Sequence, residues 1–224
     1  MPRRGPVVAV VGPDGAGKST LVSRLPDAIG HPSLVVYMGV NPESTTHALP
    51  TMRWAQRRGM AGGLLPAAVP GVPERFARRR GGVLAELRAA VTYTHRLADL
   101  GYRFAAGRRA ARGGAVVVFD RYVYDARIDT LLARQPLSAR VYARLVMALF
   151  PDPDLLVILD APSELLYARK GEHSVAWLDR LRAAYGRLAD DVPNSVLVDA
   201  AQPADQVLHS TAAMIRTRLV GDPH

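Results

Sequence analysis

The eight residues Gly12-Pro13-Asp14-Gly15-Ala16-Gly17-Lys18-Ser19 constrain this chain more than any other stretch of it. Glycines at 12, 15 and 17 permit backbone angles that turn successive N–H groups inward, which makes a concave anion site. The spacing G-x-x-x-x-G-K-S then sets an ammonium and a hydroxyl where a helix begins, and the dipole of that helix also favours negative charge. The flanks agree with this reading. An apolar run, Val7–Val11, enters the loop, and a helix-compatible segment, Thr20–Leu25, leaves it and is expected to close at Pro26. Phosphate is the natural occupant. Gly12, Asp14, Gly15, Ala16, Gly17, Lys18 and Ser19 form the expected phosphate-binding set, with Lys18 reaching the β- and γ-phosphates of a nucleotide and Ser19 completing a magnesium shell.

The rest of the chain says what fold carries this loop. Short, nearly continuous apolar runs recur at Leu34–Tyr37, Ala115–Phe119, Leu155–Leu159 and Ser195–Val198, as parallel strands covered on both faces require. Between them, Leu84–Tyr102, Ala139–Phe150 and Leu178–Leu188 space their apolar residues by three or four. Pro162 and Pro203 suit first-turn helix positions just after strands. The alternation predicts an α/β, three-layer architecture: a five-stranded parallel sheet with helices on both faces. At 224 residues the prior is one domain spanning the chain. No apolar run reaches the roughly 18 residues of a membrane helix. Residues 3–18 lack the pattern of a secretory leader, so the cytoplasm is the expected compartment. Without cysteine, disulfides, thiolate metal sites and thiol nucleophiles are excluded.

A second cluster of chemistry lies at Asp120-Arg121-Tyr122, expected just past the carboxyl end of a strand, where doubly wound sheets bind ligands. Asp120 can hold a magnesium-bound water or steer the attacking group, and Arg121 offers a planar fork for a phosphate. A phosphate loop alone does not separate kinases from GTPases, motors or transporters. The chain has no N-K-x-D sequence for guanine and no long second half of a motor. Its size suits a phosphotransferase.

With those residues in hand, the sequence resembles the thymidylate kinases, a branch of the nucleoside monophosphate kinases. The likeness rests on GPDGAGKST, on Asp120 to Tyr122, on the run that ends in Ala161-Pro162, on Glu164, Leu166 and Arg169, and on Arg180–Leu188. It implies that Lys18, Ser19 and Thr20 engage ATP and magnesium, that Asp14 approaches the acceptor sugar, and that Arg121 grips the acceptor phosphate. It places Arg169 near the adenine or the transferring phosphate, with Lys170 supplying charge in a short lid of about residues 169–176. An acceptor-binding region is expected over about residues 40–112, and pairing as a homodimer through helices is a further implication, with Val141–Leu149 a candidate surface. The chain departs from the family in three places, one of them the lid, where Lys170–Val175 is short and lacks the arginine-rich spacing of many members. Tyr37-Met38-Gly39-Val40-Asn41-Pro42-Glu43 stands where the family has T-R-E-P-G-G, and position 100 is leucine where the family reads thymine with arginine, leaving Arg96 and Arg103 as the nearest candidates. The acceptor is therefore open: dTMP, another or modified nucleotide, a nucleoside, or a sugar.

The charge balance, 29 basic against 20 acidic residues, is regional. Thirteen arginines fall between Met52 and Arg112 against Glu74, Glu86 and Asp99. That field would attract polyanions, but the segment has few aromatics for base stacking and no RNA or DNA motif, so nucleic acid is not the expected partner. Gly59–Pro73, rich in Gly, Pro and Ala, reads as a long loop. His95, His173 and His209 show no metal spacing, and Asp152, Asp154, Asp190 and Asp191 read as turn or helix-end chemistry. Tyr122, Tyr124, Asp125, Trp54 and Trp177 are open between pocket lining and packing.

Overall fold

A computed structural model describes residues 4–39, 49–51, 83–132, 135 and 137–220. The apolar runs become five strands: β1 (Val7–Val11), β2 (Ser33–Tyr37), β3 (Val116–Asp120), β4 (Leu155–Asp160) and β5 (Ser195–Asp199). They form one parallel sheet in the order β2-β3-β1-β4-β5. Seven α-helices accompany it among the described residues: α1 (Lys18–Ile29), α2 (Val83–Arg112), α3 (Tyr124–Leu132), α4 (Leu137–Leu149), α5 (Ser163–Lys170), α6 (Val175–Asp191) and α7 (Ala204–Ile215). Five residues of π-helix, Arg216–Val220, follow the last.

Strand alternation sorts the core into two halves. Val7, Ala9 and Val11 of β1 gather with side chains of α2, α3, α4 and α6, whereas Val8 and Val10 gather with α1 and α7. All five β1 residues are buried, and each of the four valines is worth about 1.5–3 kcal/mol of burial. The result is three layers, helices on each face of a parallel sheet, as the sequence pattern predicts.

Register gathers polar residues along one edge. Asp120 stands opposite both Val10 and Tyr37, and Asp160 opposite Asp199, so the carboxyl ends of the strands line up beside the loop that leaves β1. That edge is where the chain reverses direction across the sheet, the usual location of a ligand crevice.

Several boundaries differ from the sequence reading. Helix α1 continues through Pro26 to Ile29, because Leu25 and Ile29 are both buried and anchor the last turn, and Gly30 then ends it in the left-handed conformation at φ 67°. Asp120 is the last residue of β3 rather than the first beyond it. Pro162 and Pro203 precede their helices in extended backbone, at ψ 140° and 138°, instead of opening the first turn. Gly59–Pro73, Trp54 and the rest of residues 52–82 of the basic segment lie outside the described residues.

Candidate active site

The loop after β1 has the backbone its glycines foreshadow. Gly12, Gly15 and Gly17 take φ values of 145°, 88° and 85°. A side chain at position 12 would meet the Leu159 carbonyl at 2.3 Å, and one at position 15 the Leu166 carbonyl at 2.7 Å. Only glycine fits at these two positions, and the loop can therefore press against the β4 edge and the start of α5. Lys18, 6% exposed, donates from Nζ to the carbonyls of Gly12 at 2.8 Å and Pro13 at 2.6 Å. Burial first, with repulsion from Arg121, pulls the Lys18 ammonium down to about 8. An arriving polyanion would reverse that cost. Ser19 and Thr20 are exposed at the start of α1, and neither hydroxyl is hydrogen-bonded among the described residues. Amides, an ammonium and an open hydroxyl at a helix N-terminus fit a triphosphate with its hard, oxygen-seeking cation.

Asp14 is the centre of the charge network. It takes Arg121 Nη2 at 2.7 Å, with Lys18 Nζ at 3.8 Å, Lys170 Nζ at 3.7 Å and His173 Nε2 at 3.8 Å around it. Burial alone would raise its carboxyl; the cations, Lys18 foremost, outweigh burial and hold it down to about 2. Asp14, Glu172 and His173 bring ligand atoms within 4.8 Å of one another, but with three cations around Asp14 the cluster is an ion-pair hub. Sequence spacing gave no reason to place His173 here. It comes from the connection 171–174, pinned between the Gly171 end of α5 and the Ser174 cap of α6.

Arg121 is aimed by strain and by neighbours. Its φ of 66° is left-handed, a conformation that costs a non-glycine residue roughly 1–3 kcal/mol. The backbone on either side holds it there, with Arg121 N donating to the Val10 carbonyl at 2.9 Å and Met38 N to the Asp120 carbonyl at 2.8 Å. The guanidinium then lies between Asp14 and Asp125, the latter at 3.4 Å, and the Tyr185 hydroxyl donates to Asp125 at 2.9 Å. Asp120 is partly buried, and that burial raises its carboxyl above the ordinary range. It stands beside β1 with its side chain in reach of the loop's field, the place a water-bridged cation would use.

Two cavities flank the loop. One, of about 490 Å³, is lined by Asp14, Ser19 and Arg121 on the loop side and by Tyr93, Arg96 and Tyr142 farther out. The other, of about 390 Å³, runs along Gly15, Gly17 and Thr20 to Arg169, Ala200 and Gln202. Lys170 lines both. Arg169 is fixed in the second by a 2.9 Å bond from Nη1 to the Ala200 carbonyl, and Arg182 ties α6 to the sheet through a two-pronged contact with Asp160 at 2.7 and 2.8 Å. All the sequence-identified site residues thus fall on these two cavities or directly beside them.

The two arginines nearest the expected base-reading position differ in role. Arg96 lines the first cavity, its guanidinium 5.5 Å from the Tyr142 ring. Arg103 is buried, paired with Asp99, and donates to the Tyr37 and Gly39 carbonyls at 3.1 Å each, so it serves the backbone. Trp177 and Tyr122 line the first cavity, whereas Tyr124 is buried and donates to Asp152 at 2.6 Å. Asp154 accepts Val7 N and Arg4, and Asp191 pairs with Arg127, as their turn and helix-end positions imply. Sequence reasoning missed Asp129, Tyr93, Tyr142, Tyr185 and Arg182. For Asp129 a signal existed: Asp125 and Asp129 are spaced by four, one stripe of a helix.

Among solved structures the chain is similar to thymidylate kinase from Candida albicans, with a TM-score of 0.59 and 16% identity over 95% of this chain and 91% of that one. This is the P-loop NTPase fold. No family model matches the sequence, and no curated protein does. At that identity the likeness speaks for the fold, and the chemistry has to be argued from the side chains. Among the described residues no helix is long and apolar enough to cross a membrane.

Proposed function

We propose that this chain is an ATP-dependent kinase that moves the γ-phosphoryl group to a small acceptor bearing a phosphate, a nucleoside monophosphate such as dTMP or a modified relative. One observation carries the reading: two cavities meet at the glycine loop and share Lys170, one presenting Arg169 and the other Arg121. A donor in the Arg169 cavity would lay its polyphosphate along the loop amides toward Lys18. An acceptor phosphate held by Arg121 would then face its terminal unit. Transfer through a loose transition state needs alignment and neutralisation of charge more than covalent help. The chain supplies both, with Lys18, Arg121 and Lys170 converging on Asp14, which holds them in place until anionic ligands arrive. Ser19 directly and Asp120 through water would hold magnesium, which when bound supplies positive charge at the donor's β- and γ-oxygens. An acceptor phosphate is already anionic near neutral pH, so no strong base is required. The donor is cytoplasmic ATP, and one domain over the whole chain does the work.

The test is ADP release from Mg·ATP by the purified full chain across nucleoside monophosphates, nucleosides and sugar phosphates. Turnover with a phosphate-bearing acceptor is expected. No ADP with any acceptor, together with no heat on titrating Mg·ATP, would overturn the reading.

We read the working unit as a homodimer. On α4, Leu137, Val141, Leu145 and Leu149 repeat every four residues and are 65, 44, 44 and 61% exposed. Such a continuous apolar stripe matches itself across a two-fold axis. Sedimentation of the native chain should give twice the 24.2 kDa chain mass. Leu145→Glu should give monomers, and a native chain that sediments as a monomer contradicts the pairing.

A further inference from the structure

The acceptor cavity carries one carboxylate too many for a ligand that is only an anion. Of its four acidic residues, Asp14 is held by Arg121 at 2.7 Å, Asp125 by Arg121 at 3.4 Å and Tyr185 at 2.9 Å, and Glu172 by Lys170 at 3.1 Å. Asp129 has no hydrogen-bond donor to its carboxylate among the described residues; its backbone carbonyl alone is engaged, by Gln135 at 3.4 Å. It lies one helical turn beyond Asp125 on α3, about 6 Å farther from the phosphate end by the rise of a helix. The wall around it is Tyr93 stacked on Tyr142, with ring centroids 4.9 Å apart, and Arg96, which lies against the Tyr142 ring.

Burial, and then the Asp125 carboxylate, pushes the Asp129 carboxyl up to about 7, with Arg96 and Arg121 only partly offsetting them. A second, partly buried carboxylate beside Asp125 is costly unless a proton or a counter-charge joins it. A neutral donor, a ribose hydroxyl or an amide, would satisfy its lone pairs and leave the charge uncompensated. A cation would do both.

Resting on the kinase reading above for the place of the phosphate, we infer that the acceptor carries a basic amine roughly one sugar ring away from its phosphate, and that Asp129 receives it. The substrate class is an amino-sugar or amino-nucleoside phosphate, anionic at the Arg121 end and cationic at the Asp129 end, with its flat portion against Tyr93 and Tyr142. The polarity of the cavity follows the same order, from Arg121 through Asp125 to Asp129.

The experiment uses matched pairs that differ in the amine: 3′-amino-3′-deoxythymidine 5′-monophosphate against thymidine 5′-monophosphate, and glucosamine 6-phosphate against glucose 6-phosphate. Calorimetric titration of the full chain near pH 7 gives Kd for each, and ADP release from Mg·ATP is followed in parallel. The amine member of at least one pair is expected to bind about tenfold or more tightly, the value of a hydrogen bond between charged groups. Asp129→Asn, which keeps the shape, should erase the preference, so that the two members of each pair bind within about threefold of each other. Asp129→Ser serves as a second variant, and thermal melts establish that both fold. Equal affinity within every pair, no binding of any member, or a preference that survives in both variants would overturn the inference. ADP release without amine preference sinks this inference alone; amine preference without ADP release sinks the kinase reading alone.

Discussion

Lys18→Ala is expected to lower turnover by roughly 10³-fold, about what the loss of one preorganised donor at a developing oxyanion costs, and to leave the melting temperature unchanged or slightly raised. The combination is diagnostic. Lys18 is 6% exposed, and its ammonium is held by two backbone carbonyls, Gly12 and Pro13, with Asp14 at 3.8 Å. Burial pulls its pKa below the ordinary lysine value, down to about 8, so the folded chain binds that proton less well than the unfolded one. The charged side chain thus works against folding at neutral pH, and its removal relieves a cost. A side chain kept against the interest of stability is kept for a ligand. The check is a pair of measurements on the same preparation, ADP release with the best acceptor and a thermal melt. Activity within tenfold of the native chain would remove Lys18 from the chemistry. A melting temperature lowered by 10 °C or so would make the lost activity a folding effect, and the argument from Lys18 would fail with it.

How much of this was legible without coordinates depends on range along the chain. The strands were, to within about one residue, because a parallel strand covered on both faces must be apolar throughout, and that leaves a mark in five or six consecutive letters. Helix ends were harder. Helix α2 runs ten residues beyond Tyr102, through Gly107 and a crowd of arginines that hide its period. Gly107 is there because the helix lies so close to β3 that a side chain would meet the Phe119 ring at 2.8 Å, a packing demand invisible in the local pattern. Helix α3 is only nine residues with Tyr124 and Ile128 as its buried members, too few for periodicity to speak. The backbone of the glycine loop was readable, because its spacing is itself the geometry. The cavity beyond it was not, since Tyr185 reaches Asp125 from 60 residues away and Arg182 reaches Asp160 from 22, and only the sheet order brings those helices together.

The same dependence on distant partners makes Asp99→Ala a costly change for stability, with an expected loss of about 3–5 kcal/mol. Asp99 and Arg103 are each 2% exposed and pair one turn apart on α2. Asp99 also accepts Leu49 N at 2.8 Å, and Arg103 donates to the carbonyls of Tyr37 and Gly39 at the end of β2. The pair therefore joins three stretches of chain, with a contact of 3.1 Å between Thr51 and His95 as a second tie between the first two. Truncating Asp99 strands a guanidinium in a site that already leaves its Nε without a partner, and burial already disfavours that charge. Against a typical total of about 5–15 kcal/mol for a folded domain, the loss is large enough to unfold part of the population at 37 °C. Chemical denaturation measures it directly. Removing the charge from both partners, as Asp99→Leu with Arg103→Met, should recover most of the stability, because two apolar side chains of similar volume need no counter-charge. Affinity for the proposed acceptor should not recover with it, since Tyr37 and Gly39 line the first cavity and lose the guanidinium that fixes their carbonyls. If the double variant bound acceptor as the native chain does, the pair would be a stabilising device alone. If Asp99→Ala cost less than 1 kcal/mol, the end of β2 would have to be held by something other than this pair.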